Sequence, residues 1–259
     1  GEGVGVVTLP GLGLEIGGPA INKTPRAMME TIVRRHYPTG GVDITVSIPA
    51  GRELASKTFN PRLGIIDGIS VVGTSGVVKP FSSEAFVASI VRQADVAVAL
   101  GADTIVINSG AKSEKYLKSA FPELPFQSFV QYGNFIGETL EKLALLSIPK
   151  IYMGIMLGKA VKLAEGNLDT HSRKVVMHQM ANDAGCSEAA HTLIDGLTLA
   201  RELWTGLAPD DLERFMLRVL DACYEAAAKL VPKSELSLLL IDDDGNIRYT
   251  YPHDFLDKK

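Results

Sequence analysis

An α/β protein built on a mostly parallel sheet is expected from three features of this chain of 259 residues. From about Phe59 onward, short apolar runs alternate with glycine-containing turns and amphipathic helical segments, the pattern of strands joined by crossover helices. Before that point the texture differs, with one amphipathic helix followed by a run that alternates with the period of a strand. Near the end, two apolar runs flank Asp243, Asp244, Gly245 and Asn246, a strong hairpin turn. Residues 1–58 therefore read as a small α+β unit, the remainder of an N-terminal domain. Residues 59–259 read as a Rossmann-like α/β domain with a helical C-terminal part and a closing hairpin.

In order along the chain, the opening GEGVGVVTLP is strand-like. Thr24 is placed to cap a helix with Pro25 at its first position, and Met28, Met29, Ile32 and Val33 form the apolar face. Val42, Ile44, Val46 and Ile48 point one way and Asp43, Thr45 and Ser47 the other, which predicts a half-buried strand. Four strand–turn–helix units are expected next. Their strands are 65–72, 104–107, 126–131 and 151–156, and the helix after the first is capped near Ser82 or Ser83 and stopped by Gly101. Helices are expected over 158–165, 172–183, 187–203 and 209–230. The last of these opens with Asp210, Asp211 and Glu213, charges that suit the positive end of a helix dipole. Strands at 236–241 and 247–251 close the chain.

Composition narrows the function classes. The net charge of -4 is small and the basic residues are scattered, which disfavours nucleic acid or an anionic membrane as a partner. The longest apolar stretches, such as 96–100 and 236–241, fall far short of the roughly 20 residues of a membrane-spanning helix. Cys186 and Cys223 stand in no metal-ligand spacing, no HxxxH or CxxC pattern occurs, and no protein-bound metal is expected. Two reduced thiols suit the cytoplasm. Without an initiator Met or a signal peptide, the chain is expected to begin part-way through a longer protein. The sequence leaves homo-oligomerisation open.

In an open parallel sheet, ligands bind beyond the carboxyl ends of the strands. Three loops have the residues for it: Gly73, Thr74, Ser75 and Gly76; Asn108, Ser109 and Gly110; and the stretch from Gly133 and Asn134 to Gly137. Glycine admits close backbone approach, and the N–H groups of a following helix donate to a ligand. The same residues also serve as plain strand-to-helix turns. None forms GxGxxG or a GKS/T phosphate loop, which weighs against nicotinamide and nucleoside-triphosphate chemistry. The richest polar stretch runs from Gly158 to Lys174. Lys159 and Lys162 share a helix face, and Asp169, Thr170, His171, Ser172, Arg173 and Lys174 follow. This cationic, hydrogen-bonding cluster suits a ligand with several carboxylates, and a solvated charged face is the alternative. His36, His178, His191 and His253 have no such company.

Taken together, GVGVVTLPGLGLEIGGPAIN, KTFNPRLGIIDGISVVGTSGVVKPFSSEA, NFIGETL and MGIMLGKAVKLAEGNLDTHSRK, in this order and spacing, resemble the CbiD family of cobalamin biosynthesis. The resemblance covers essentially the whole chain. It implies a methyltransferase that uses S-adenosyl-L-methionine to methylate C-1 of a corrinoid, converting cobalt-precorrin-5B into cobalt-precorrin-6A, with the cobalt carried by the substrate. On that reading the three loops hold the methyl donor. Lys159, Lys162, Asp169, Thr170, Ser172 and Arg173 hold the substrate. His171 is the candidate acid/base, as the side chain of that stretch that titrates near neutrality. A reductase of the same pathway and a non-catalytic corrinoid carrier are the competing readings. The missing GxGxxG disfavours the first, and the sequence leaves the second open.

Overall fold

The computed structural model describes residues 1–73, 82–166 and 177–256. The chain forms two compact units, Gly1–Gly101 and Ala102–Lys259, rather than dividing at 58/59.

In the first unit, β1 (Val6–Val7) pairs antiparallel with β2 (Ile65–Ile66). The expected strand over 65–72 is thus not the first strand of the parallel sheet. Left-handed residues bracket its paired part, Gly64 at φ 69° and Asp67 at φ 61°, and end it after two residues. Isolated bridges, Val4 with Ile69 and Ile21 with Val71, hold the rest to the N-terminal segment. Helix α1 (Lys23–His36) begins earlier than expected, with Asn22 rather than Thr24 as its N-cap and no side-chain cap bond. Pro25 then sits in the first turn, where its missing N–H leaves no bond unmade. No residue of α1 is buried. The alternating run 42–48 forms no ladder, and Val42 and Ile44 are exposed, because a half-buried strand needs a partner and a core that these residues lack. After the short α2 (Gly51–Ala55), α3 (Ser83–Ala99) is capped as expected by the Ser82 hydroxyl, which accepts from the Ala85 N–H at 3.2 Å. Its Val96 packs with Val7, Ala20, Leu63 and Ile65 into the core of this unit.

The second unit is an α/β layer structure. Its sheet has the order β4-β3-β5-β6-β7, formed by β3 (Thr104–Asn108), β4 (Phe129–Gln131), β5 (Lys150–Met156), β6 (Glu235–Ile241) and β7 (Ile247–Tyr251). The first four strands are mutually parallel, and β7 returns antiparallel to β6. The hairpin was expected, but its first arm is also the fourth parallel strand, the place the sequence assigns to 65–72. Every residue of β3 is buried, as suits an interior strand covered on both faces. Helix α4 (Ala111–Ala120) covers one face, where Leu117 and Phe121 pack on Val106, Phe129, Leu239 and Ile241. This close approach uses Gly154: a Cβ there would lie 2.4 Å from Leu117 Cδ1.

Helix α5 (Ile136–Leu145) leads into β5, and α6 (Leu157–Ala164), α7 (His178–Asp183), α8 (Glu188–Gly196), α9 (Leu203–Gly206) and α10 (Pro209–Ala228) lead on to β6. The expected helix over 187–203 ends at Gly196, with Ser187 as its N-cap. Helix α10 buries Phe215, Met216, Val219, Leu220 and Cys223 and packs on α6, β6 and β7.

Candidate functional site

The chain runs from β3 outward to β4, then back past β3 to β5. Where successive connections leave in opposite directions their loops splay apart, and in open α/β sheets that switch point is where ligands bind. Here it lies at the carboxyl ends of β3 and β5.

At the end of β3, the buried Asn108 side chain is spent on structure: its Nδ2 donates to the Val130 carbonyl at 3.3 Å and its Oδ1 accepts from the Gly110 N–H at 3.1 Å. Ser109 Oγ lies 3.1 Å from Ser113 Oγ in the first turn of α4. Beneath, the fully buried Tyr132 donates its hydroxyl to the Gly154 carbonyl of β5 at 3.3 Å. Burial pushes that phenol far up, so it stays a neutral donor. From α6, Lys159 reaches back across the end of β3 to the loop after β4. Its Nζ donates to the Gly133 carbonyl and, at 2.7 Å, to Asn134 Oδ1, and it stands 5.6 Å from the centre of the Tyr132 ring. Burial lowers the Lys159 ammonium to about 8, and the nearby Lys162 adds to the effect. Tyr132 thus ties the end of β4 to β5, and Lys159 ties α6 to the loop after β4 through neutral acceptors.

Of the residues singled out in the sequence, Asn134 and Lys159 meet directly, and Asn108, Ser109 and Gly110 lie at the neighbouring strand end. Lys162 follows on the same helix as Lys159. Gly137 is buried inside the first turn of α5 and does not belong to the loop. Gly73 is in the first unit. Thr74, Ser75, Gly76, Asp169, Thr170, His171, Ser172, Arg173 and Lys174 lie outside the described residues.

Tyr132 and Ser113 escape the sequence reading, since a tyrosine closing an apolar strand reads as core; the Gly-Asn pair after it was the available signal. Two histidines considered isolated are not. His178 and His191 stack with their Nδ1 atoms 3.0 Å apart, and His178 Nε2 lies 2.7 Å from Asp195 Oδ1. The spacing of His191 and Asp195, one helical turn, was the sequence's hint. His253 Nε2 likewise pairs with Asp221 at 3.2 Å. Among the described residues no group of three or more His, Cys, Asp or Glu is arranged to hold a metal ion, and no helix is long and apolar enough to cross a membrane.

Comparison with known proteins supplies the family. The CbiD family model matches residues 1–80. A relative from Prosthecochloris aestuarii named cobalt-precorrin-5B C(1)-methyltransferase is 39% identical over 259 residues, covering 95% of this chain and 70% of its own length. Proteins of the same name from Geobacillus thermodenitrificans and Thermus thermophilus are 39% and 37% identical, with 63% and 70% of their lengths and 88% and 97% of this chain covered. The chain therefore spans roughly two thirds of the curated relatives it matches. A crystal structure of a cobalamin biosynthesis protein (CbiD) from Archaeoglobus fulgidus is 27% identical, covering 72% of this chain and 56% of that one, with a TM-score of 0.26. On the strength of identities of this size over nearly its whole length, the chain belongs to the CbiD family.

Proposed function

We propose that this chain carries the methyl-transferring site of a cobalamin-pathway enzyme, which moves a methyl group from S-adenosyl-L-methionine to C-1 of cobalt-precorrin-5B and gives cobalt-precorrin-6A. The name shared by relatives covering nearly all of the chain supports the reaction. The observation that carries the site is the bridge at the β3/β5 switch point, where Lys159 of α6 donates to the loop after β4. We take the second unit as a Rossmann-like domain working in the cytoplasm. Its loops at Asn108, Ser109, Gly110 and Asn134 receive the methyl donor. The stretch with Lys162, Asp169, Thr170, Ser172 and Arg173 receives the corrinoid, Lys162 and Arg173 making charge-assisted hydrogen bonds to its carboxylates.

Methyl transfer from a sulfonium to carbon is an in-line displacement, so this chain's residues work by orienting two reactants and excluding water. Lys162 and Arg173 anchor the substrate periphery. His171 accepts or returns the proton that moves as the macrocycle's double bonds rearrange. The deciding test is calorimetric titration with S-adenosylhomocysteine, in the presence and absence of corrinoid. Micromolar binding is expected. Corrinoid binding with no affinity for the nucleoside would instead make the protein a carrier.

A further inference from the structure

Lys159 was expected to hold substrate, yet its bonds run inward. Two of the three donors of its ammonium are spent on Gly133 O and Asn134 Oδ1, and no carboxylate pairs with it among the described residues. A half-buried cation costs free energy unless it is compensated, and here the compensation is two neutral oxygens and the face of Tyr132. An isolated lysine gains nothing from such a place. The bridge instead ties α6 to the loop after β4, whose Gly133 is left-handed at φ 61°.

We propose that Lys159 is a positioning residue, a strut between α6 and the Gly133–Asn134 turn that keeps this loop in the shape that receives the methyl donor. This rests on the methyl-donor reading above and assigns Lys159 to the donor side of the site rather than to the corrinoid. The strut titrates in an accessible range. The groups facing its ammonium are Lys162 on its own helix, the Tyr132 phenol and the Asn134 amide at the end of β4; Cys223 of α10 lies beyond them, donating to the Ala160 carbonyl at 3.0 Å. The phenol and the thiol are both pushed up by burial and stay neutral, so the lysine is the group that changes charge near its depressed value of about 8. Losing the proton turns two charge-assisted bonds into neutral ones of roughly half the strength. The loop then loosens as pH rises.

Two measurements on the 259-residue chain, with Lys159→Met and Lys159→Arg beside the wild type, separate the strut from its ligand. Amide hydrogen exchange without ligand reads the strut: Lys159→Met should expose the amides of residues 133–136, while those of β3 and β5 keep their protection. Unchanged exchange in a folded Lys159→Met overturns the proposal. Calorimetry with S-adenosylhomocysteine between pH 7 and 9.5 reads the ligand. Wild-type affinity should fall about tenfold with a midpoint near 8, Lys159→Arg should bind with no such midpoint, and Lys159→Met should bind at least about tenfold more weakly at pH 7. Affinity that ignores both pH and the Met substitution overturns the proposal as well. If Lys159→Met loosens the loop but even the wild type fails to bind the nucleoside at any pH, the strut stands and its assignment to a methyl donor is overturned.

Discussion

Replacing Gly154 by Ala puts a methyl group into a close contact between β5 and α4. The new Cβ would lie 2.4 Å from Leu117 Cδ1, 2.9 Å from Cδ2 and 3.0 Å from Cγ. Carbon atoms settle at about 3.5–4.0 Å, so the leucine or the strand must move by roughly 1 Å. Leu117 is fully buried among Val106, Phe121, Phe129, Leu239 and Ile241. Overpacking of this kind costs about 1–3 kcal/mol. Gly154 is not among the positive-φ glycines, so Ala also stiffens the unfolded chain and returns about 0.4–1 kcal/mol. A net loss of about 0–2.6 kcal/mol follows. The cause is tested by a double-mutant cycle with Leu117→Ala, which alone should cost about 2–5 kcal/mol. In the double variant the clash is gone and the added methyl fills part of the cavity, so the two changes should couple favourably by about 1–3 kcal/mol. Equilibrium urea unfolding, with the midpoints compared at constant slope, measures this. Additivity within about 0.5 kcal/mol would refute the close-contact account.

Three further outcomes are expected. The Ser187 hydroxyl, and after it the Arg214 guanidinium, hold the Asp211 carboxyl below the usual carboxylate range. A depressed folded pKa contributes stability that is present above the unfolded value near 3.9 and is lost as pH falls through the folded one. Ser187→Ala should therefore shift the acid-unfolding midpoint upward, and should cost about 1 kcal/mol at neutral pH through the lost cap to the Ala190 N–H; circular dichroism against pH checks both. Lys162→Ala removes the like charge that lowers Lys159 after burial does, so the alkaline midpoint of nucleoside affinity should rise while its pH 7 value stays put. His171→Gln should slow single-turnover methylation by about 10²–10⁴ with little change in substrate affinity, and retention of more than about a tenth of the rate would rule out proton transfer by this residue.

Much of the second unit is legible in the sequence because its signals are local. The buried run at 104–107, the Pro209 start of α10 and the Asp-Gly hairpin each carry their instruction within a few residues, and the structure places all of them within a residue or two of expectation. What failed depends on partners far away in the chain. The run 65–72 has strand composition, but whether it enters the parallel sheet is decided by the pairing of Ile65 with Val7. The alternation of 42–48 describes a face without supplying the neighbour that would pair with it. At the candidate site, Gly110 and the Gly133–Asn134 pair fall in the turns after β3 and β4, since turn residues are chosen for their own backbone angles, whereas Gly137 lies within α5. Their connections could not be read: Lys159 and Asn134 are a lysine and an amide 25 residues apart, and a cation that bonds inward looks in sequence like one that faces water. Tyr132 was hidden for the same reason, its hydroxyl partner lying in the next strand.

The pairing of β5 with β6 joins Lys150 to Glu235, across the whole helical stretch from α6 to α10. The ladders of β3 with β4 and β5, by contrast, close over one helix or two. During synthesis the three early strands can assemble while β6 is still being made, leaving the apolar edge of β5, Lys150–Met156, unpaired. An unprotected edge of that kind invites strands from other chains. Closing so long a loop is slow rather than thermodynamically costly, because loop entropy grows only logarithmically whereas folding rates fall with contact order. The vulnerable interval is therefore set by translation and by the packing of α10 against α6, which carries β6 to its place. Yield on expression should be more sensitive to substitutions on the buried face of α10 than the stability of the finished protein would suggest.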